Sequence, residues 1–95
     1  MKTAPCALCG RTAPLTFHHL IPKKVHRRRR FARSYSKAEL AQGIDVCRLC
    51  HRAIHRFHDE MTLARELNTL AALRQDEQLA RHAAWAAKQR VAGST

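Results

Sequence analysis

Two closely spaced cysteine pairs constrain the fold of this chain more than any other feature. They are Cys6/Cys9 and Cys47/Cys50, each with two residues between the cysteines. A chain of 95 residues buries little apolar surface on folding, so it needs an additional crosslink. The two thiolates of a Cys-x-x-Cys turn can bind the same tetrahedral Zn²⁺. The spacing therefore predicts one structural zinc site made of all four cysteines.

Disulfides are the alternative use of four cysteines, and they need an oxidising compartment. The N-terminal segment lacks the apolar core of a secretory signal, and no stretch approaches the ~18 apolar residues of a membrane span. We therefore expect a soluble, cytoplasmic protein that does not bind membranes. The segment Cys47-Arg-Leu-Cys50-His51 also matches the attachment motif of c-type haem, but the second cysteine pair argues against that cofactor. A thioredoxin-like redox role is disfavoured because no strand-helix-strand pattern surrounds either pair.

The charge of the chain is strongly positive and unevenly distributed. Eighteen Lys and Arg residues face seven Asp and Glu residues, which gives a formal net charge of +11. Residues 23–37 contain basic residues and no acidic one: Lys23, Lys24, Arg27, Arg28, Arg29, Arg30, Arg33 and Lys37. Such a stretch suits the phosphates of a nucleic acid, although it is also compatible with a solvated loop. We interpret this basic tract as a loop that is poorly ordered without a partner.

The residues around the cysteine pairs predict a hairpin followed by a helix. Residues 13–17 read as a first strand that ends in a His doublet, and residues 44–46 read as the returning strand. Between them, Ser36 and Glu39 match a capping box at the start of a short helix over 37–41, and Gly43 is expected to end it in a left-handed conformation. After Cys50, functional and apolar residues recur at helical spacing: His51, Ile54, His55 and His58.

The C-terminal part of the chain is rich in Ala and Leu and predicts two or three short helices over residues 59–92. Cap-like pairs at 68–69 and 75–76 interrupt the helical pattern. These helices are expected to close the hydrophobic core, with Trp85 inside it, or alternatively to form a dimer contact. His82 is expected at the surface, His58 at a helix end, and residues 93–95 should fray. In the basic tract, His26 is a candidate for phosphate contact, and Phe31 and Tyr35 either stack on bases or anchor the loop.

Three segments together resemble the HNH nuclease family over residues 6–58. They are the first Cys-x-x-Cys pair, the segment Phe17-His18-His19-Leu20-Ile21-Pro22-Lys23, and the segment Cys47-Arg-Leu-Cys50-His51-Arg-Ala-Ile-His55. The resemblance implies a small α+β fold, with a ββα-metal (His-Me finger) core stapled by the four-cysteine zinc site. The C-terminal helices would pack on that core, and residues 1–95 would form a single HNH domain.

Histidine suits the chemistry that the resemblance implies. Phosphodiester hydrolysis needs a base with a pKa near neutrality and a cation that stabilises charge on the phosphate. His51 and His55 lie four residues apart, so on a helix they point the same way, as two metal ligands do. Neighbouring strand residues point to opposite faces, so His18 and His19 are expected to have different roles. The alternative is that His51 and His55 are ordinary helix residues without a ligand.

By resemblance to the family, each histidine takes a separate role. His18, His51 and His55 would bind one catalytic divalent ion (Zn²⁺, Ni²⁺, Mn²⁺ or Mg²⁺), and His19 would be the general base. The enzyme would be a metal-dependent endonuclease that hydrolyses nucleic acid, expected to be DNA, to 5′-phosphate and 3′-hydroxyl ends. The phosphate backbone would be bound by basic residues: Lys23, Lys24, Arg27, Arg28, Arg29, Arg30 and Arg33.

Gln42 stands where the family has an Asn that orients the base. The longer side chain of Gln42 weakens that role, and Asp45 is a possible substitute. The rival interpretation is therefore a zinc-stabilised nucleic-acid-binding module that is catalytically weak or inactive. One catalytic metal cuts one strand at a time, so a double-strand break would require dimerisation or two encounters. We expect a monomer or a weak homodimer.

Overall fold

The N-terminal half of the chain forms a three-stranded antiparallel sheet. The computed structural model describes residues 2–90. Strand β1 (Thr3–Pro5) pairs with β2 (Thr12–His19), which pairs on its other side with β3 (Gly43–Cys47). The two predicted strands are confirmed as β2 and β3, and β2 continues through the His doublet. With the helices described below, the sheet makes a small α+β fold.

Strand β2 changes its buried face at its C-terminal end. Ala13 and Leu15 are buried in the core between the strands, as simple alternation predicts. Two residues further, Phe17 is 48% exposed, whereas His18 is only 1% exposed. The C-terminal end of the strand therefore places an aromatic ring in solvent and an imidazole inside the protein.

The basic tract is more ordered than the sequence predicts. Residues Lys23–Val25 form a 3-10 turn, and Arg29–Ser34 form helix α1. The interpretation of the tract as a loop is wrong for these residues, because Val25 and Phe31 are buried against Ile21 and Ala64. Two apolar side chains thus tie an otherwise charged segment to the body of the protein.

The predicted capping box is confirmed at helix α2 (Lys37–Leu40). Ser36 Oγ accepts from the Glu39 amide at 3.1 Å, and the Glu39 carboxylate accepts from the Ser36 amide at 2.8 Å. The expected left-handed conformation at Gly43 is wrong, since Gly10 is the only residue in the described part of the chain with a positive φ. Gly43 instead begins β3, where a Cβ atom would collide with the Phe17 ring and the His18 carbonyl.

Helix α3 (Arg48–Phe57) follows β3 without a loop. Its N-cap is Cys47, and its buried face consists of Cys50, Ala53 and Ile54. The predicted helix after the second cysteine pair is therefore confirmed, and His58 lies at its C-terminal cap as expected. α3 packs on both β2 and β3, so residues on its first turns lie close to the end of the sheet.

Three further helices complete the fold, within the predicted number. They are α4 (Glu60–Glu66), α5 (Leu70–Gln75) and α6 (Glu77–Ala86), and each begins at a side chain that accepts from a first-turn amide: Asp59, Thr69 and Asp76. Their leucines form one apolar cluster with α3: Leu63, Leu67, Leu73 and Leu79. The end of the predicted extension, residues 91–92, and the predicted frayed residues 93–95 lie outside the described residues.

Two predictions about α6 are wrong. Trp85 is 52% exposed and does not fill the core, because Leu79 and Ala86 occupy the buried positions of this helix. His82 is half-buried between Phe57 and Trp85, with ring centroids at 6.2 and 5.5 Å. Within residues 2–90, no helix is long and apolar enough to span a membrane.

Candidate metal centres

The four cysteines converge where β3 meets α3. Cys9 Sγ and Cys47 Sγ lie 3.8 Å apart, and the ligand atoms of all four cysteines lie within 4.8 Å of one another. A tetrahedron with metal–sulfur bonds of about 2.3 Å has sulfur–sulfur edges of about 3.8 Å. None of the four thiols is in a disulfide. The group could therefore hold a metal ion such as zinc.

The acid-base properties of this thiol group favour a cation. A hydrogen bond with Cys50 lowers the pKa of Cys6 to about 4, helped by the Cys47 amide, which donates to Cys6 Sγ at 3.2 Å. Burial raises the pKa of Cys9 to about 11, and the hydrogen bond to Cys6 together with burial raises the pKa of Cys50. Several thiolates cannot share this buried volume unless a positive charge compensates them.

A second group consists of three imidazoles. The structure brings together His18 from β2 with His51 and His55 from α3, with ligand nitrogens within 4.8 Å of one another. Ring centroids lie 5.2–5.3 Å apart in all three pairs. His18 Nε2 is buried and has no hydrogen-bond partner among residues 2–90. Such an orphaned buried nitrogen is expected of a metal ligand, and the three residues fit a divalent ion that imidazole binds.

Two imidazoles of this group, His18 and His51, are held in their neutral form. Burial lowers the pKa of His18 to about 4, and the neighbouring His55, His51 and His19 lower it further. Burial and the proximity of His55 also lower the pKa of His51. Neutral imidazole is the form that binds a metal ion. His18 and His51 can therefore bind a cation without first losing protons.

Thr16 fixes the orientation of the His51 ring. The Thr16 hydroxyl donates to the Val46 carbonyl at 3.1 Å, so its oxygen is left to accept from His51 Nδ1, 2.7 Å away. Because a hydroxyl has one proton, both contacts are hydrogen bonds only when the Nδ1 proton belongs to His51. The His51 lone pair therefore lies on Nε2, which is how an outer partner fixes the tautomer of a ligating histidine.

His19 lies beside the imidazole group and is held between two rings. Phe17 packs against it edge-on at 4.9 Å, and His26 lies 5.7 Å away, both measured between ring centroids. Burial lowers the pKa of His19, and the nearby His26 and Lys23 lower it further. His19 is thus a neutral base at neutral pH. His26 donates from Nε2 to the Ile21 carbonyl at 2.6 Å, so this nitrogen serves the fold.

A cavity of about 190 Å³ joins these residues. Its wall consists of Phe17, His18, His19, Pro22, Lys23, Lys24, His51, His55 and Glu60. Lys24 Nζ and Glu60 Oε1 lie 3.7 Å apart, with the Lys24 side chain largely in solvent and the Glu60 side chain partly buried. The cavity thus combines imidazoles with two ammonium groups, of which Lys24 pairs with the Glu60 carboxylate and Lys23 is left to attract a phosphate.

The predicted phosphate-binding residues lie in three different places. Lys23 and Lys24 line the cavity, whereas Arg27, Arg28, Arg29 and Arg33 are exposed outside it. Arg30 lines a separate cavity of about 520 Å³ with Phe31 and Tyr35. Phe31 is 3% exposed and cannot stack on a base, so its alternative role as an anchor is confirmed.

The structure does not bring Gln42 to His19. Its carbonyl accepts from the Leu20 amide at 3.1 Å, but its exposed side chain makes no hydrogen bond within residues 2–90 and does not line the cavity. Asp45, the possible substitute, instead accepts from Lys2 Nζ at 3.4 Å. The aromatic rings that pack on His19 within residues 2–90 are those of Phe17 and His26.

Sequence reasoning missed four residues of these centres. Thr16 was interpreted only as a strand former, Phe17 as a strand former within the segment that resembles the family and without a role of its own, and Glu60 was not considered. Arg11 lies beside the thiols, and although burial opposes its charge, a hydrogen bond to Cys47 raises the pKa of Arg11. For Thr16 a signal exists, because it precedes His18 by two residues and so shares its face of the strand. The other three depend on contacts between distant segments.

Comparison with known proteins identifies a relative of this chain. The protein named "Uncharacterized protein YisB" of Bacillus subtilis (strain 168) is 36% identical over 85 residues, which cover 88% of this chain and 74% of that protein. No protein-family model matches the chain, and no solved structure matches it significantly. The identity extends over most of both sequences, including nearly all of the fold described above. The chain therefore belongs to the same family as YisB.

Proposed function

We propose that this protein is a metal-dependent endonuclease of the HNH type that hydrolyses phosphodiester bonds of nucleic acid. The observation that carries the proposal is the convergence of His18, His51 and His55 beside His19 in one cavity. A purely structural role does not explain why three imidazoles lie together with a buried nitrogen left unpaired. DNA is the expected substrate.

The proposal extends to the fold and to both metal ions. The hairpin β2–β3 followed directly by α3 would be a ββα-metal core, and the four cysteines would hold Zn²⁺ at its base. His18, His51 and His55 would hold the catalytic ion, for which Zn²⁺, Ni²⁺, Mn²⁺ and Mg²⁺ are the candidates. Three imidazoles favour the first three ions over Mg²⁺, which prefers oxygen ligands. When bound, this ion supplies Lewis acidity towards the phosphate and the leaving oxygen.

The residues of the chain itself would carry out the proton transfer and the positioning. His19, neutral because its pKa is lowered, would accept the proton of the attacking water. Packing between Phe17 and His26 would hold the His19 ring in place, which assigns to these two rings the role expected of Gln42. Lys23 and Lys24, in the cavity wall, would neutralise the phosphate on either side of the scissile bond.

A plasmid-nicking assay tests the proposal. The zinc-loaded protein is assayed with added Mg²⁺, Mn²⁺, Ni²⁺ or Zn²⁺, beside His19→Ala and Gln42→Ala prepared identically. We expect metal-dependent nicking that falls about 10²- to 10⁴-fold in His19→Ala, the usual contribution of a general base. Gln42→Ala should retain cleavage, because its side chain lies outside the cavity.

The contrary outcomes are distinct. Undiminished nicking by His19→Ala would remove His19 as the base. Binding of nucleic acid without cleavage under any metal would favour the second candidate, a zinc-stabilised binding module. The excess of positive charge, +11 in total, supports that candidate equally well. A binding module does not explain why His18, His51 and His55 lie together.

A further inference from the structure

A groove of about 360 Å³ lies on the side of α3 that faces away from the histidine cavity. Its wall consists of Leu49, Arg52, Ala53, Arg56, Phe57, His82 and Trp85. Trp85 is one of the two large apolar side chains that are exposed in the described chain, and it is the only tryptophan. The groove is separate from the cavity that contains His51 and His55.

Helix α3 forms part of the wall of both the histidine cavity and the groove. Arg52 follows His51 and Arg56 follows His55, so each arginine is displaced by about 100° around the helix axis from the neighbouring histidine. Arg48 lies four residues before Arg52 and extends the same stripe, and all three arginines are exposed. A line of guanidinium groups therefore separates the histidine cavity from the aromatic groove.

The charge of the groove selects its partner. Two guanidinium groups line it, and no acidic side chain does. Neither arginine takes part in an ion pair between described residues. A symmetric contact with a second copy would bring the same arginines together, which opposes association. A polyanion is favoured instead.

The aromatic part of the groove suits a planar ligand. Trp85 packs on His82, and His82 packs on Phe57, so the indole is supported from below while half of its surface is in solvent. An exposed, supported indole flanked by guanidinium groups is how proteins stack unpaired bases and bind the phosphates between them. A duplex offers no free base face to such a platform.

We infer that this groove binds an unpaired nucleotide of the strand that is cut, with its base on Trp85 and its phosphates at Arg52 and Arg56. The inference rests on the proposed function and deepens it. The preferred substrate would be nucleic acid with a single-stranded flank, such as a gap, a flap or an overhang. The strand would run from the histidine cavity across the width of α3, about 10–12 Å with side chains.

The fluorescence of Trp85 reports on the groove directly, because the chain has no other tryptophan. The zinc-loaded His19→Ala protein, which should bind without cutting, is titrated with an oligothymidylate of about 12 nucleotides. An abasic oligonucleotide of equal length is the matched probe, since it retains the phosphates and lacks the bases. We expect saturable quenching by the oligothymidylate and little change with the abasic probe.

Variants separate stacking from charge. Trp85→Leu should weaken oligothymidylate binding by roughly 5- to 150-fold and leave abasic binding unchanged. The oligothymidylate affinity of Trp85→Phe should lie between that of Trp85→Leu and that of the parent protein. Arg52→Gln with Arg56→Gln should weaken binding of both probes and reduce the salt slope of log affinity by about 1.4. Arg81→Gln is the control, since Arg81 lies on α6 outside the groove and already faces Glu77.

Three results would overturn the inference. One is saturable oligothymidylate binding, measured by fluorescence anisotropy, that does not change the emission of Trp85 and is equally tight in Trp85→Leu and in the parent protein. Another is a dimer in sedimentation that Trp85→Leu dissociates without loss of nucleic-acid affinity, which would make the groove a contact between copies. The last is the absence of any binding of the oligothymidylate.

The two proposals can fail separately. Metal-dependent nicking by the parent protein without quenching would leave the nuclease and refute the groove. Quenching by the oligothymidylate without nicking would leave a stacking site in a protein that binds nucleic acid and does not cut it. Circular dichroism and zinc content of each variant establish that the fold is intact.

Discussion

Replacing Thr16 tests whether the imidazole group is built for a metal ion. Thr16→Val removes the oxygen that accepts from His51 Nδ1 and leaves the shape of the side chain nearly unchanged. Partners of this kind typically contribute about 10- to 100-fold to metal affinity, because they fix the tautomer and the ring orientation. We therefore expect the affinity of the imidazole group to fall by about 1.4–2.8 kcal/mol.

The variant Thr16→Ser separates this effect from a general loss of stability. Serine keeps both hydrogen bonds, to Val46 and from His51, so metal affinity should stay within about threefold of the parent value. Thr12→Val is a second control, because Thr12 is an exposed residue at the start of the same strand. Thr16→Val itself should lose about 0.5–1.5 kcal/mol of unfolding free energy with the bond to the Val46 carbonyl.

Cobalt titration is the measurement that distinguishes the two centres. Thiolate ligands give Co²⁺ strong charge-transfer absorption that imidazole ligands lack, so filling of the cysteine group is visible separately. In zinc-loaded protein, the remaining Co²⁺ binding reports on His18, His51 and His55. Equal Co²⁺ affinity in Thr16→Val and Thr16→Ser, with both folded, would refute the reasoning that Thr16 orients a ligand.

Three other substitutions test the fold around the centres. Cys9→Ser should abolish stoichiometric zinc and the cooperative thermal transition, since structural zinc supplies folding free energy; a melt at the parent temperature would contradict four thiolate ligands. Gly43→Ala should displace the Phe17 ring and lower both stability and metal affinity, as its Cβ has no space; unchanged thermal unfolding would disprove the close approach. Asp76→Ala should cost about 1–2 kcal/mol at pH 7, because Asp76 caps α6 and pairs with His58 at 3.0 Å. Burial opposes ionisation of Asp76, yet its hydrogen bonds lower its pKa below 3.8. The loss of stability should therefore be complete above pH 3.8 and disappear as the pH falls through the lowered pKa. A difference in urea unfolding that does not depend on pH would exclude the carboxylate as the source of this stability.

Local patterns predicted the parts of the fold that local physics determines. The Ser36–Glu39 capping box and the helical spacing of His51 and His55 depend only on residues within one turn. The two cysteine pairs predicted their own convergence, because no other arrangement lets four thiols share an ion. The same patterns placed His18 and His19 at a strand end beside that helix.

The failures share a different cause, which is contact between distant segments. The basic tract reads as a loop because charge dominates its composition, yet Val25 and Phe31 find partners in Ile21 and Ala64. Spacing alone did not predict that Leu79 and Ala86 would take the buried face of α6 and leave Trp85 in solvent. Gly43 was assigned to a helix end because the ring of Phe17, on another strand, was not visible in the local sequence.

The direct junction between β3 and α3 links the occupancy of the two candidate centres. Cys47 caps α3, Cys50 lies in its first turn, and His51 follows at once. An ion at the thiols would therefore hold the turn that aims the imidazoles, and an ion at the imidazoles would hold the turn that aims the thiols. By thermodynamic reciprocity, each ion raises the affinity for the other by the same factor. As the supply of metal falls, such a protein would therefore lose both ions over a narrow range of free metal concentration.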